Sequence, residues 1–120
     1  MFRMTQSPKF WATVRSEVQA ENGSRQTVVF EMEFKRLSQS ELRVFAEGTA
    51  ADVNASTDVV ETAVERIMEV GTNWRNVTDA DGGEVTFSRE TVRQAVNEFG
   101  LGPAILAAFY ESMPKAKAKN

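Results

Sequence analysis

The sequence contains no cysteine and no histidine among its 120 residues. Without cysteine there is no disulfide, no thiolate nucleophile and no zinc site built on sulfur. Without histidine the chain lacks the commonest general base and metal ligand, so a serine–histidine–aspartate or cysteine–histidine mechanism is excluded within one chain. Only carboxylate or lysine chemistry stays open. We therefore expect a protein that is not an enzyme and that uses no cofactor and no metal.

Long apolar runs are also missing, since none approaches the roughly 20 residues that a membrane helix needs. The segment Met1–Lys9 has no apolar signal core, which predicts a cytosolic protein with no membrane partner. Hydrophobic residues make up 42% of the chain and charged residues 26%, which is ordinary for a globular protein. At this length we expect one domain, residues 1–120, with flexible ends at 1–8 and 114–120.

Positive charge is scarce outside the C-terminal tail. The net charge is −3, and three of the 14 basic side chains are Lys115, Lys117 and Lys119. The rest of the chain is acidic, which argues against a nucleic-acid partner because phosphate contacts need a clustered positive face. The tail could contact nucleic acid or an acidic partner, but a solubilising end is the commoner role of such a run.

Two segments near the N-terminus alternate apolar and polar residues with the period of a strand. The Asn22-Gly23 pair lies in a turn cluster between them. We predict an antiparallel hairpin, roughly 9–20 with 26–36, whose apolar face must be covered by helices. That face holds Phe10, Ala12, Val14 and Val18 in the first segment and Val28, Phe30, Met32 and Phe34 in the second.

The first helix has a well-marked start. Ser38 and Glu41 have the spacing of a capping box, and Leu37 and Leu42 are placed to form a hydrophobic staple. Gly48 predicts the end of this short helix, because glycine disfavours a helix interior. We expect residues 49–55 to be a connector.

Three further helices have start and stop signals. The principal helix follows Ser56-Thr57-Asp58 and ends at Gly71, and the next runs from Ser88 to Gly100. The last begins at Gly102-Pro103 and stops at Pro114. Together with the hairpin they predict an α+β fold, in which an N-terminal antiparallel β-hairpin packs against a bundle of three to five helices in a single domain.

The densest turn signal, Asp79-Ala80-Asp81-Gly82-Gly83, lies between the principal helix and the next one. The apolar residues Val77, Val85 and Phe87 flank it, which predicts a tight hairpin or an extended loop. We expect Trp74 and Phe87 to fold back onto the domain. The aspartate spacing matches part of a calcium loop, but Val77 and Ser88 occupy positions that need ligands. A plain turn is therefore predicted.

Two other patterns resemble catalytic or cofactor-binding motifs, but each is better explained by a structural role. Glu31 and Glu33 share one strand face, as paired catalytic carboxylates would. Their neighbours Val29 and Lys35 favour instead a solvated face with cross-strand charge pairs. The glycines of Gly100-Leu101-Gly102 lack the strand and the third glycine of a dinucleotide site, so a turn is predicted.

Aromatic residues with polar tips are the best candidates for partner contacts, since they are favoured at core edges and at interface hot spots alike. Trp11 falls on the hairpin face opposite the apolar set, so it either contacts a partner or packs on a second face. Trp74 and Tyr110 fit core positions better than interface positions. Met32, Met68 and Met113 would make a client surface adaptable, although core filling is the commoner role of methionine.

The chain carries a series of short motifs. They are Phe34-Lys35-Arg36-Leu37 followed by Glu41, Trp74-x-x-Val77 leading to Asp79-x-Asp81-Gly82, Phe87-Ser88-x-Glu90, Ala104-Ile105 with Ala107-x-x-Tyr110, and a final Lys-Asn. In order, spacing and total length the chain resembles the tail assembly chaperones of long-tailed bacteriophages and prophages. The similarity extends from about Phe10 onward.

The resemblance implies a chaperone without enzymatic activity. Such a protein binds the tape measure protein, keeps it soluble and helps recruit tail tube subunits in the host bacterial cytoplasm, and it is absent from the mature virion. In many relatives a programmed frameshift adds a C-terminal extension to some chains. The alternative is a small structural protein of the tail or of the head–tail connection.

A client-binding role requires an apolar surface beyond the core. We expect the helices around Val59–Met68 and Ile105–Met113 to line a groove for a helical client. The predicted partner-binding residues are Trp11, Met68, Trp74, Phe109, Tyr110 and Met113. Self-association through Trp11 or an open hairpin edge is also plausible.

Overall fold

Two strands of 11 residues each, joined by a tight turn, form the N-terminal part of the protein. The computed structural model describes residues 2, 4, 7–55 and 58–113, and the side chains of residues 50 and 52–55 are not among the groups it describes. Within these residues four helices and a third strand follow the hairpin, which confirms the predicted α+β class. The elements are β1 (Lys9–Gln19), β2 (Arg25–Lys35), α1 (Gln39–Ala55), α2 (Val59–Val70), β3 (Gly71–Arg75), α3 (Arg89–Phe99) and α4 (Gly102–Ser112).

The hairpin forms within one residue of the predicted segments and buries the predicted face. β1 pairs antiparallel with β2 without interruption from Lys9 opposite Lys35 to Gln19 opposite Arg25. In the turn, Gly23 adopts a φ of 87°, a left-handed conformation that glycine reaches without steric cost. The side chains of Ala12, Val14, Phe30, Met32 and Phe34 are buried beneath the helices.

A third strand, β3, was not expected from the sequence. It pairs antiparallel with β2, with Glu31 opposite Arg75 and Met32 opposite Trp74. Gly71 ends α2 as predicted, but its backbone is extended (φ −84°, ψ 139°), so the chain passes directly from helix to strand. A Cβ at this position would lie 2.9 Å from the Met32 side chain, so glycine is needed for space.

The prediction that Gly48 ends the first helix was wrong, because α1 continues to Ala55. A Cβ at Gly48 would lie 3.1 Å from the guanidinium of Arg66 on α2, so a larger side chain here would crowd that group. The start of α1 was predicted correctly. The Ser38 amide donates to the Glu41 carboxylate at 2.8 Å, and the Glu41 amide donates to the Ser38 hydroxyl at 3.1 Å.

The remaining helix ends follow their cap signals. Asp58 caps α2 by accepting from the Glu61 amide at 3.1 Å, and Ser88 caps α3 by accepting from the Thr91 amide at 3.2 Å. Gly100 ends α3 with a φ of 65°. The other predicted cap signals at residues 56, 57 and 114 lie outside the described residues, as does most of the two predicted flexible ends.

One apolar layer lies between the sheet and the helices. Phe34 and Phe109 form its centre with ring centroids 5.3 Å apart, and Phe45 adds an edge-on contact to Phe109 at 5.5 Å. The helices contribute Val64, Ile67 and Val70 from α2, Val92, Ala95 and Val96 from α3, and Ile105, Ala108 and Phe109 from α4.

Among the described residues, no helix has the length and apolar character required to span a membrane.

Candidate partner-binding site

The turn at residues 79–83 is held by the Asp79 side chain. Its Oδ1 atom accepts from the Asp81 and Gly83 amides, each at 2.9 Å. Gly82 takes the left-handed conformation, with a φ of 83°. The carboxylate therefore stabilises its own loop, as in an Asx turn, and the expectation of a plain turn fits this geometry.

Trp74 fastens this loop to the sheet. Its indole Nε1 donates to the Val85 carbonyl at 2.7 Å, and its ring meets Phe87 edge-on at 5.3 Å between centroids. On the other side the indole packs edge-on against Phe30 at 6.1 Å. Because Trp74 is only 6% exposed, these contacts fix the position of the loop against β2. Trp74 and Phe87 fold back onto the domain as predicted.

The loop forms one wall of an apolar groove of about 670 Å³. The other walls are the half of the hairpin nearest its turn and the C-terminal end of α3. We call this surface the hairpin groove. Its apolar lining comprises Val18, Val28, Val29, Phe30, Trp74, Val77, Ala80, Val85, Ala95, Phe99 and Leu101, and its polar lining comprises Gln26, Thr27, Asn76, Thr78, Asp79, Thr91 and Gln94.

The hairpin groove exists because the strands are longer than the helices that cover them. A strand of 11 residues extends for about 37 Å, whereas a helix of 11 residues extends for about 16 Å. The apolar alternation nevertheless continues toward the turn. Val18 and Val28 are therefore only half-buried, and they form the floor of the groove.

Phe99 is the most exposed aromatic side chain at the groove. It is the last residue of α3, and 52% of it is exposed. The apolar stripe of α3 predicts a core position for it, but Gly100 turns the chain directly after it and leaves the ring at the rim. An exposed aromatic ring beside an apolar floor is typical of a surface that binds another protein.

A second groove of about 590 Å³ lies between α1 and α2. Its floor includes Phe45 and Val70, and its rim includes the exposed Val44. The Arg66 guanidinium lies over the Phe45 ring, 5.6 Å from its centroid, and also pairs with Glu69 at 3.0 Å. Three charged side chains, Glu41, Arg66 and Glu69, line this second groove, whereas Asp79 is the one charged side chain that lines the hairpin groove.

The outer face of the sheet carries an ion pair with an aromatic neighbour. Arg75 donates from Nε to Glu31 at 2.7 Å, and its guanidinium lies 4.0 Å from the centre of the Trp11 ring. Trp11 is thus packed on a second face, and 37% of it stays exposed. Glu33 accepts a hydrogen bond from the Thr72 hydroxyl at 2.9 Å, so both strand carboxylates have cross-strand partners.

The structure divides the six predicted partner-binding residues into two groups. Trp74, Phe109 and Met113 are buried in the core and present almost no surface to a partner in this conformation. Trp11, Met68 and Tyr110 keep accessible surface. Met32 is also buried, and α2 and α4 approach each other closely where Gly102 lies against Ala63.

Apart from Trp74, the residues that line the hairpin groove were not among the predicted partner-binding residues. Val18, Val28, Val77 and Val85 were noted only as apolar positions in strands and around the turn. The sequence contains one signal of the groove, since Phe99 lies directly before the glycine that ends its helix. Helical spacing alone cannot distinguish a rim position from a core position.

Several of the described carboxylates are engaged in ion pairs and caps, among them Glu31, Glu41 and Glu61. No group of three or more acidic residues that could hold a metal ion occurs among the residues the structure describes. Hydrogen bonds from Arg93 lower the pKa of Glu61, and those from Arg75 lower the pKa of Glu31. Bonds from Ser38 lower the pKa of Glu41. A lowered pKa suits a structural anion better than a general acid or base near neutral pH.

These lowered pKa values predict a loss of stability in acid. Glu31, Glu41 and Glu61 have folded-state pKa values below 4.5, so their contribution is complete above that pH and is lost as the pH falls through the folded values. We expect the melting temperature to fall between pH 5 and pH 3. In a Glu61→Gln variant it should fall less over this range.

The control is Glu47→Gln, which changes an exposed glutamate of α1 that lies outside these ion pairs. This variant should follow the wild-type pH profile. A wild-type melting temperature that is constant or rises from pH 5 to pH 3 would contradict the prediction.

The fold and the hairpin groove define a small α+β protein with an apolar surface suited to binding another polypeptide. The family model described as phage tail assembly chaperone matches residues 1–120. The chain therefore belongs to the phage tail assembly chaperone family, as its motifs predicted. No curated protein and no solved structure is significantly similar to it.

Proposed function

We propose that this chain is a chaperone without enzymatic activity that binds the tape measure protein, keeps it soluble and helps recruit tail tube subunits. It acts in the host bacterial cytoplasm and is absent from the mature virion. It needs no cofactor, nucleic acid or membrane. Family membership supports the role in tail assembly. The observation that supports client binding is the hairpin groove with Phe99 at its rim.

The shape of the hairpin groove suits an amphipathic helix. A helical client presents apolar anchors at positions i, i+3, i+4 and i+7, and these enter an apolar groove. The floor offers Val28 and Leu101, and the wall offers Val77. Phe99 can close over a client helix from the rim, where it replaces water around the anchors.

The polar rim suits a client whose sequence varies along its length. Amide and hydroxyl side chains predominate there, including Gln26, Thr27 and Gln94. Asp79 is the one carboxylate in the lining, and its Oδ1 atom already bonds two backbone amides. A rim with little free charge excludes few client sequences by repulsion, so binding depends on apolar burial. Trp11, Met68 and Tyr110, which lie outside the hairpin groove, are proposed as further partner contacts.

The proposal predicts that Phe99→Ser abolishes client protection. The chain is coexpressed with a segment of the tape measure protein, and the soluble fraction of that segment is measured. The wild-type chain should keep most of the segment soluble. With Phe99→Ser, the soluble fraction of the segment should fall to within about twofold of its level without chaperone. The reason is that the loss of one buried aromatic anchor typically costs 2 kcal/mol or more, about 30-fold in affinity.

The matched control is Val59→Ser at the start of α2, where 79% of the residue is exposed and no contact with the groove exists. This variant should protect the client like the wild type. A client that precipitates equally with and without the wild-type chain would overturn the proposal. The alternative, a small structural tail or head–tail connector protein, predicts that mass spectrometry detects the chain in purified virions.

A further inference from the structure

Among the residues that the structure describes, the outer edge of β1 has no partner strand. The sheet order is β1-β2-β3, so β1 has a neighbour on one side only. The Pro8 carbonyl accepts from the Arg36 amide at 2.9 Å, and the Ala20 amide donates to the Ser24 carbonyl at 2.8 Å. Even-numbered residues of β1 therefore direct their backbone groups toward β2. Because these directions alternate along an antiparallel strand, the odd-numbered residues direct theirs toward the free edge.

This edge is long, regular and accessible. Its register with β2 runs through 11 residue pairs with no bulge. Every odd-numbered side chain from Lys9 to Gln19 is exposed, and no described residue hydrogen-bonds to the edge. Proteins usually protect such an edge with a proline, a bulge or a covering element. β1 contains none of these, although it does carry charged side chains.

The charged and aromatic side chains of β1 are arranged symmetrically about Thr13. Two residues before it is Trp11, and two residues after it is Arg15. Four residues before it is Lys9, and four residues after it is Glu17. In an antiparallel pair of identical strands with Thr13 at the centre, Lys9 would therefore face Glu17, and Trp11 would face Arg15.

The geometry points to a dimer, and we propose that a second copy of this chain pairs antiparallel with β1, with Thr13 on the two-fold axis. The Lys9–Glu17 ion pair and the Trp11–Arg15 cation–aromatic pair then each form twice across the interface. The backbone groups that face outward from both copies also meet, because odd-numbered residues lie opposite odd-numbered residues. The result is one continuous sheet of six strands.

Neighbouring registers lack this match. Centring the pair on Ala12 places Lys9 opposite Arg15, and centring it on Arg15 places two arginines face to face; like charges directly opposite are destabilising. Centring it on Val14 forms neither the Lys9–Glu17 nor the Trp11–Arg15 pair. Sliding one strand along the other by an odd number of residues places backbone groups that point to the free edge opposite backbone groups that point toward β2 of their own sheet.

Existing contacts leave the required groups accessible. Arg25 binds Glu17 at 3.0 Å through one carboxylate oxygen, and both side chains are largely solvent-exposed. Arg75 covers one face of the Trp11 ring. Arg15 makes no ion pair with any residue in the described part of the chain, so it is available to a second copy.

A charge-swap series tests the pairing. Sedimentation equilibrium of the full chain without any client should show a monomer–dimer equilibrium. Lys9→Glu and Glu17→Lys should each raise the dimer dissociation constant at least tenfold, because each places like charges opposite one another twice. The double variant Lys9→Glu/Glu17→Lys should return it to within about threefold of the wild-type value.

Cysteine cross-linking tests the register. The chain has no native cysteine, so a single introduced thiol reports one position. Thr13→Cys places two Cα atoms about 5.5 Å apart across the axis, a separation that a disulfide spans. Mild oxidation should convert it to a covalent dimer. The matched control, Gln19→Cys, changes an exposed residue outside the proposed charge and aromatic pairs, places its two Cα atoms about 40 Å apart and should cross-link at least tenfold more slowly.

A wild-type chain that stays monomeric at 100 μM would overturn the proposal, as would a double variant that dimerises no better than the single ones. Equal cross-linking of Thr13→Cys and Gln19→Cys would also overturn it.

Discussion

Replacing Trp74 by alanine should lower the free energy of unfolding by about 3–5 kcal/mol. The indole is nearly buried and packs edge-on against both Phe30 and Phe87. Its Nε1 also holds the Val85 carbonyl at 2.7 Å, so its loss detaches the loop from the sheet. Domains of this size are stable by about 5–15 kcal/mol, so the change removes a large share. Urea denaturation followed by circular dichroism measures it.

The control is Trp74→Phe, which retains an aromatic ring but has no N–H group to donate. We expect it to cost about 1–3 kcal/mol, because the Val85 carbonyl loses its partner in a poorly hydrated position. The difference between the two variants separates ring packing from the hydrogen bond. A cost below about 1 kcal/mol for Trp74→Ala would show that the loop is held by other contacts.

Replacing Phe109 by alanine should destabilise the protein by a similar amount, about 3–5 kcal/mol. Phe109 is fully buried, and its ring lies within 6.4 Å of the rings of Phe10, Phe34, Phe45 and Tyr110, measured between centroids. It joins α4 to the hairpin and to α1, so the cavity left by alanine opens where three elements meet. The urea midpoint should fall without a compensating rise in the slope.

Val59→Ala on the exposed surface of α2 is the matched control, and it should change stability by less than about 0.5 kcal/mol. Phe109 was also predicted as a partner contact. Its burial implies that Phe109→Ala impairs client protection only as far as it unfolds the chain. Loss of client protection under conditions where Phe109→Ala is fully folded would restore Phe109 as a direct contact.

The two destabilising variants bear on function because residues of the core support the hairpin groove. Trp74 holds the wall that carries Val77 and Val85, whereas Phe109 anchors the opposite end of the sheet. We therefore expect Trp74→Ala to impair client protection even under conditions in which the variant remains folded. Phe99→Ser should impair it with little effect on stability, since Phe99 is half exposed.

Much of the fold was predictable because its signals are local. The two-residue period of β1 and β2 predicts both the strands and the face that they bury, and the Asn22-Gly23 pair predicts the turn. Ser88 and Gly100 mark the ends of α3 through their own backbone and side-chain geometry. The motif order also predicted the family, which a match over residues 1–120 confirms.

The sequence by itself determined the hairpin with its buried face, the caps and the Asp79 turn, and the resemblance of its motifs pointed to the family. Only the tertiary structure decided that α1 continues through Gly48, that β3 forms and that the hairpin groove lies beside Phe99. Each of these depends on a neighbour distant in sequence: Arg66 approaches Gly48, β2 supplies the partner of β3, and the short helices leave the end of the hairpin uncovered. Local periodicity reports which face of an element is apolar, but the packing of other elements determines how much of that face is covered.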